Sequence, residues 1–118
     1  MPFLLLIVEP RGQRAGRDNA EARRLYDEMV AYGDALRGEG RLLAVQSLRP
    51  DEHAVRVSAA PGQAALRDGP FAEAKEMVGG FFLIEAADRD EAVAIARRCP
   101  ATRWASVEVR ECAPCHVG

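Results

Sequence analysis

A chain of 118 residues, 48% hydrophobic and 29% charged, has apolar content for one core and enough charge to keep that core in water. Its formal net charge of −2, with both signs interspersed, provides no basic field for phosphate backbones, so nucleic acid is not expected as a partner. Three cysteines, Cys99, Cys112 and Cys115, are too few and too clustered toward the C-terminus for a disulfide framework.

The opening segment from Met1 to Val8 is apolar, yet it has no basic leader and meets Glu9-Pro10 too soon for a signal peptide or a membrane span. A buried first strand in a cytoplasmic protein, with no membrane partner, is the expectation. The continuous apolar run over residues 3–9 implies burial on both faces. Arg11 to Arg17 reads as a mobile, solvated loop; its arginines Arg11, Arg14 and Arg17 suit a phosphate, but solvation explains them with fewer assumptions. Asp18 followed by Glu21 has the form of a capping box, and Ala22, Leu25, Met29, Tyr32 and Leu36 recur at helical spacing until Gly40. The spacing predicts an amphipathic helix over 19–39.

Leu42 to Leu48 resumes a strand that Arg49-Pro50-Asp51-Glu52 breaks. Ala54 to Ser58 and Gln63 to Arg67 then flank Ala60-Pro61-Gly62, where Pro followed by Gly suits the central positions of a type II turn in a hairpin. Next come Asp68-Gly69-Pro70-Phe71-Ala72-Glu73-Ala74-Lys75-Glu76 and a strand predicted over 78–86. Asp88 with Glu91 repeats the capping signal, Ala92, Ile95, Ala96 and Cys99 line one helical face, and Pro100 stops the helix. Arg97 and Arg98 fall in its last turn, where the helix dipole favours cations. Ala105 to Glu111 alternates Val107 and Val109 with Glu108 and Arg110, a half-exposed final strand. One domain over 1–111 and a tail over 112–118 follow from this order.

The order strand-helix-strand, hairpin, strand-helix-strand is α+β, a ferredoxin-like split unit with an antiparallel sheet and two short strands inserted between its halves. Both helices of that architecture lie on one face, so the other face should be polar in a chain that works alone. Here Val78, Phe82 and Ile84 alternate with Phe81 and Leu83, and the first strand is apolar on both sides. A second layer is required, and an identical chain supplies it; a homodimer joined sheet to sheet is therefore expected.

The string DGPFAEAKEMVGGFFLIEAADRDEAVAIARRCP, with the opening PFLLLIV and the closing ASVEVRE, resembles the YCII-related family and within it the DGPF subgroup, to about residue 111. That resemblance implies a dimeric α/β barrel. It also implies a superfamily that spans muconolactone isomerases, cofactor-independent monooxygenases, haem enzymes and a dehydrochlorinase of chlorinated hydroquinones, so fold does not fix function. Genes of the subgroup often neighbour those of extracytoplasmic-function sigma factors. Members outside the subgroup carry a histidine on the first helix, proposed to pair with an aspartate; the first helix here has none, which leaves Asp68 as the one member of such a pair.

Within the acidic turn, Gly69 permits an unusual backbone angle and Pro70 can start a helical turn over Ala72 to Glu76, whose free N–H groups would favour an anion beside Lys75. Asp68 and Glu73 are the expected general acid or base, since partial burial at a dimer cleft suits a carboxylate to proton transfer. Lys75, Phe71, Glu76, Tyr32 and Gln46 are the expected ligand-binding residues. The plainer reading gives Asp68 a capping role, leaves Glu73 and Glu76 solvated, makes Phe71 a core plug and packs Tyr26, Tyr32, Gln46 and Trp104 structurally. Cys112-Ala-Pro-Cys115-His116 has the C-x-x-C-H form of covalent haem attachment, and its thiolates and imidazole are plausible zinc ligands. A frayed tail explains it better, so neither metal nor cofactor is expected.

The expected function is binding of a small anionic or aromatic molecule in a cleft near the acidic turn, with cofactor-independent isomerase or lyase-like proton transfer by Asp68 and anchoring by Lys75. The alternative is a non-catalytic ligand-sensing or protein-interaction module tied to sigma-factor signalling.

Overall fold

The computed structural model describes residues 1–71 and 74–118. Its strands are β1 (Pro2–Pro10), β2 (Leu42–Ser47), β3 (Val55–Val57), β4 (Leu66–Asp68), β5 (Glu76–Glu85) and β6 (Ser106–Glu111), with helices α1 (Asn19–Gly38) and α2 (Arg89–Arg97). Four strands form one antiparallel sheet in the order β2-β5-β1-β6, the ferredoxin-like arrangement, while β3 and β4 pair separately. Among the described residues, no helix is long and apolar enough to cross a membrane.

Local chemistry explains the helix ends. The Asp18 carboxylate accepts from the Glu21 amide at 2.8 Å, and Asp88 repeats the bond to Glu91 at 2.9 Å. Gly40, at φ 74°, closes α1: its own amide donates to Arg37 and the Arg41 amide to Leu36, the paired bonds of a Schellman motif.

Alternation along β1 sends Phe3, Leu5 and Ile7 inward, where they meet Phe82 and Ile84 of β5, Tyr32 and Leu36 of α1, and Ala92, Ile95 and Ala96 of α2. Both helices therefore cover the same face. Cys99 is buried in this core, and the Tyr32 hydroxyl, buried with it, donates to the Ile95 carbonyl at 2.7 Å. The opposite face bears the cross-strand pairs Leu4/Leu83, Leu6/Phe81 and Val8/Val78, which no helix covers.

Four local expectations need correction. Val78 does not share the Phe82 and Ile84 face: the register shifts between Ile7 and Val8, where Gly79 is the extra residue of β5, and the resulting bulge turns Val78 outward. The 11–17 segment is not a free loop, because Arg11 and Arg14 make several bonds to distant parts of the chain and Arg14–Gly16 forms a single 3-10 turn. The hairpin has shorter arms than its sequence implies, although Gly62 at φ 80° and the Gln63 amide donating to Ala60 at 3.2 Å give the expected type II turn. Gly69 is required by proximity and not by backbone angle: a Cβ there would sit 1.8 Å from the Asp51 carbonyl oxygen.

Candidate functional site

A cavity of about 520 Å³ opens between α1 and the sheet, within the range of small-molecule sites. Its lining includes Ile7 and Glu9 of β1, Leu25, Tyr26, Met29 and Gly33 of α1, Val45 and Gln46 of β2, Gly79 to Phe82 of β5, and Arg14, Arg17 and Trp104 from the connections. Most of these residues are apolar or lie at the rim. Glu9 differs in kind.

Glu9 continues the inward phase of Phe3, Leu5 and Ile7, so the same alternation that builds the core carries a carboxylate to the cavity wall, where it is only 3% exposed. Arg14 lies beside it, Nη2 to Oε1 at 2.5 Å. The guanidinium directs its donors elsewhere, to the carbonyls of Leu48 at 2.7 Å and Gly79 at 3.1 Å, so Glu9 Oε1 has charge compensation and no hydrogen bond. A buried carboxylate oxygen with an ion-pair contact but no well-aligned hydrogen bond keeps acceptor capacity, which makes it a group suited to accepting a proton or a ligand hydroxyl. The bulge makes room for it: a Cβ on Gly79 would fall 2.3 Å from Glu9 Oε1 and 2.7 Å from Arg14 Nη2. Gly80 is needed for a different reason, since its Cβ would lie 2.8 Å from the Gln46 carbonyl oxygen on β2.

Of the residues singled out from sequence, Gln46, Tyr26 and Trp104 border this cavity, as do the loop arginines Arg14 and Arg17. Asp68 ends β4 on the exposed hairpin, Lys75 and Glu76 are exposed where β5 begins, and none of the three lines the cavity. Phe71 is buried apart from the main core, under the guanidinium groups of Arg56 at 3.8 Å and Arg67 at 5.5 Å from its ring centre. Tyr32 packs in the core edge-on to Phe82, and burial pushes its hydroxyl pKa well above the ordinary tyrosine range. Ala72 and Glu73 lie outside the described residues, and the rest of the helical turn expected over Ala72 to Glu76 is not helical, since Lys75 sits in a bend and Glu76 already pairs in β5.

The acidic turn nevertheless abuts the cavity end of the sheet. Arg11, two residues beyond Glu9, donates from Nε to the Ala74 carbonyl at 2.9 Å and from Nη2 to Phe71 at 3.1 Å, and pairs through Nη1 with Asp51. That pairing holds the Asp51 carboxyl below the usual aspartate range. Cys112 and Cys115 are exposed, and among the described residues no cluster of three His, Cys, Asp or Glu side chains is placed to hold a metal ion.

Sequence reasoning missed Glu9 and set Arg14 aside as a solvated loop arginine. For Glu9 a signal existed: one acidic residue in phase with an inward apolar set, facing a Gly-Gly pair that marks a bulge or close approach. For Arg14 nothing nearby in sequence pointed to this place, because its partners, Leu48 and Gly79, are remote.

Comparison with known proteins places the chain in a family. A protein of Rhizobium meliloti (strain 1021), itself uncharacterised, is 36% identical over 85 residues, which span 72% of this chain and 60% of that protein. The solved structure of 5-chloro-2-hydroxyhydroquinone dehydrochlorinase from Burkholderia phenoliruptrix AC1100, in complex with 2,5-dihydroxybenzoquinone, superposes with a TM-score of 0.55 at 20% identity, covering 96% of this chain and 94% of that one. At that identity the likeness speaks for the fold. The model of the YCII-related domain matches residues 1–115, and the chain belongs to the YCII-related family.

Proposed function

We propose that this protein binds a small anionic or aromatic molecule in the cavity between α1 and the sheet and transfers a proton there without a cofactor, as an isomerase or lyase does. The observation that carries this reading is the Glu9 carboxylate, buried in a cavity wall with Arg14 beside it and no hydrogen bond to Oε1. Glu9 would take a proton from a carbon or hydroxyl next to a carbonyl of the bound molecule. It would return that proton at another position, or keep it while a leaving group departs with its electron pair. Arg14 would offset the charge that develops. The quinone bound to the dehydrochlorinase of like fold supports a planar oxygenated ligand.

A second reading keeps the chemistry on the acidic turn, with Asp68 as base, Glu73 assisting and Lys75 as anion anchor. Its support is the set of Arg11 bonds that fasten this turn to the end of β1. Calorimetric titration of 2,5-dihydroxybenzoquinone into wild type, Glu9→Gln and Asp68→Asn separates the two. Loss of binding or turnover in Glu9→Gln alone supports the cavity; loss in Asp68→Asn alone shifts the site to the turn. Binding without turnover of any hydroxyquinone would favour the non-catalytic sensor, with its link to sigma-factor signalling.

Assignment to the DGPF subgroup and a cytoplasmic location belong to the same proposal. So does pairing of two copies through the open sheet face, giving a dimeric α/β barrel. The face around Leu4, Leu6, Phe81 and Leu83 supports that pairing, because so apolar a strip on a four-stranded sheet gains from a second layer. Sedimentation of Leu6→Glu against wild type tests it: a dimer that dissociates is the expected result, and a wild-type monomer would rule it out.

A further inference from the structure

A second, more open cleft lies beside Trp104, lined by Gln13, Gly16, Arg17, Glu21, Arg24, Leu25, Arg103 and Trp104. Arg17, Leu25 and Trp104 belong to both hollows, so the cleft continues the cavity at the indole. Two guanidinium groups stand over that ring, Arg17 at 5.8 Å and Arg103 at 5.4 Å from its centre. Trp104 is itself fixed, its carbonyl accepting from Gln13 Nε2 at 2.7 Å.

The charges do not cancel evenly. Arg103 and Arg24 share the Glu28 carboxylate, at 2.6 and 3.4 Å. The Arg17 guanidinium donates to the neutral Gln13 amide oxygen at 3.0 Å, and among the described residues no carboxylate lies within ion-pair distance of it. A half-buried guanidinium held against an aromatic face, with donors left over and no carboxylate in contact although Glu21 lines the same cleft, is arranged to receive an anion.

Building on the cavity reading above, we infer that the Trp104 cleft is an anion subsite: Arg17 takes the acidic group of an organic acid whose apolar ring occupies the cavity, and Arg103, over the same ring, adds to the field. The ligand is then an elongated aromatic acid, its acidic group beside Trp104 and its reactive part near Glu9.

Two dyes that share a naphthylamine skeleton test this by fluorescence titration: 8-anilino-1-naphthalenesulfonate, which carries an acidic group, and the neutral N-phenyl-1-naphthylamine. Val45→Phe, which narrows the cavity, should weaken both. Arg17→Gln should weaken the sulfonate dye by about tenfold or more, the effect of losing a hydrogen bond to a charged group, and leave the neutral dye within about twofold. Arg17→Lys, which keeps the charge, should restore part of the loss. Equal responses of the two dyes to Arg17→Gln, with both still weakened by Val45→Phe, would overturn the subsite and leave the cavity reading intact. Indifference of both dyes to Val45→Phe would overturn the cavity reading and the subsite with it.

Discussion

Glu9 and Asp68 are both carboxylates near the end of a strand, and the fold treats them in opposite ways. Glu9 belongs to β1, which has a neighbour on either side and a helix layer above, so its inward phase removes it from water. Asp68 belongs to β4, half of a two-stranded hairpin, and stays exposed. The stretch that crowds charge most densely in sequence is thus the stretch that solvent can satisfy. The lone acid in an apolar strand is the one that must find its partner inside the protein, and that partner is Arg14. Burial, more than local charge density, separates a carboxylate that needs a protein partner from a solvated one.

The sharpest way to break this contrast is to remove the partner. Arg14→Met strands Glu9 as a buried, uncompensated charge, and the unfolding free energy should fall by about 3–5 kcal/mol in urea denaturation. The double variant Glu9→Gln/Arg14→Met should recover most of that loss. Simple addition of the two single effects would show that the pair is not coupled.

A smaller effect is expected at the glycine pair, and it should split by position. Gly80→Ala drives a methyl into the Gln46 carbonyl, which belongs to the backbone and cannot swing aside, so about 1–3 kcal/mol of stability should be lost. Gly79→Ala meets the flexible ends of Glu9 and Arg14. Its melting temperature should move less than that of Gly80→Ala while dihydroxybenzoquinone affinity falls further, a crossover that thermal denaturation and calorimetry would register together.

On the turn side the expected responses are weaker. Asp68→Asn, at an exposed hairpin position, should stay within about 0.5 kcal/mol of wild type. Asp51 gives that region a pH dependence: its carboxyl pKa is lowered by Arg11 from an ordinary value of 3.8. The stabilisation that follows is fully present above the unfolded-state value and is lost as pH falls through the folded one. Amide protection at Phe71 and Ala74, whose carbonyls Arg11 holds, taken relative to the intrinsic exchange rate at each pH, should therefore fall below about pH 4 in wild type and be insensitive to that step in Asp51→Asn. Unchanged protection across the step would mean that Arg11 does not clamp the turn.

Most of the architecture could be read from periodicity. Capping residues Asp18 and Asp88 and the stop at Gly40 located both helices to within a residue or so, because those signals act over a few neighbouring positions. The apolar open face was legible for the same reason, since Leu4, Leu6, Phe81 and Leu83 alternate by a fixed rule. What could not be read was set by contacts between distant segments. The bulge at Gly79 reverses the phase of Val78 only when β5 pairs with β1. Arg14 looks like one of several loop arginines until the Gly79 and Leu48 carbonyls are brought to it. Gly69 invites a backbone explanation, whereas the Asp51 carbonyl packed against it is the cause.

Where a bound ligand sits decides between the two carboxylates. In crystals soaked with 2,5-dihydroxybenzoquinone, a site at Glu9 requires density between α1 and β5, with a ligand oxygen against Glu9 and Arg14. Density against Asp68 and Lys75, with the helix-side cavity left to solvent, would contradict it.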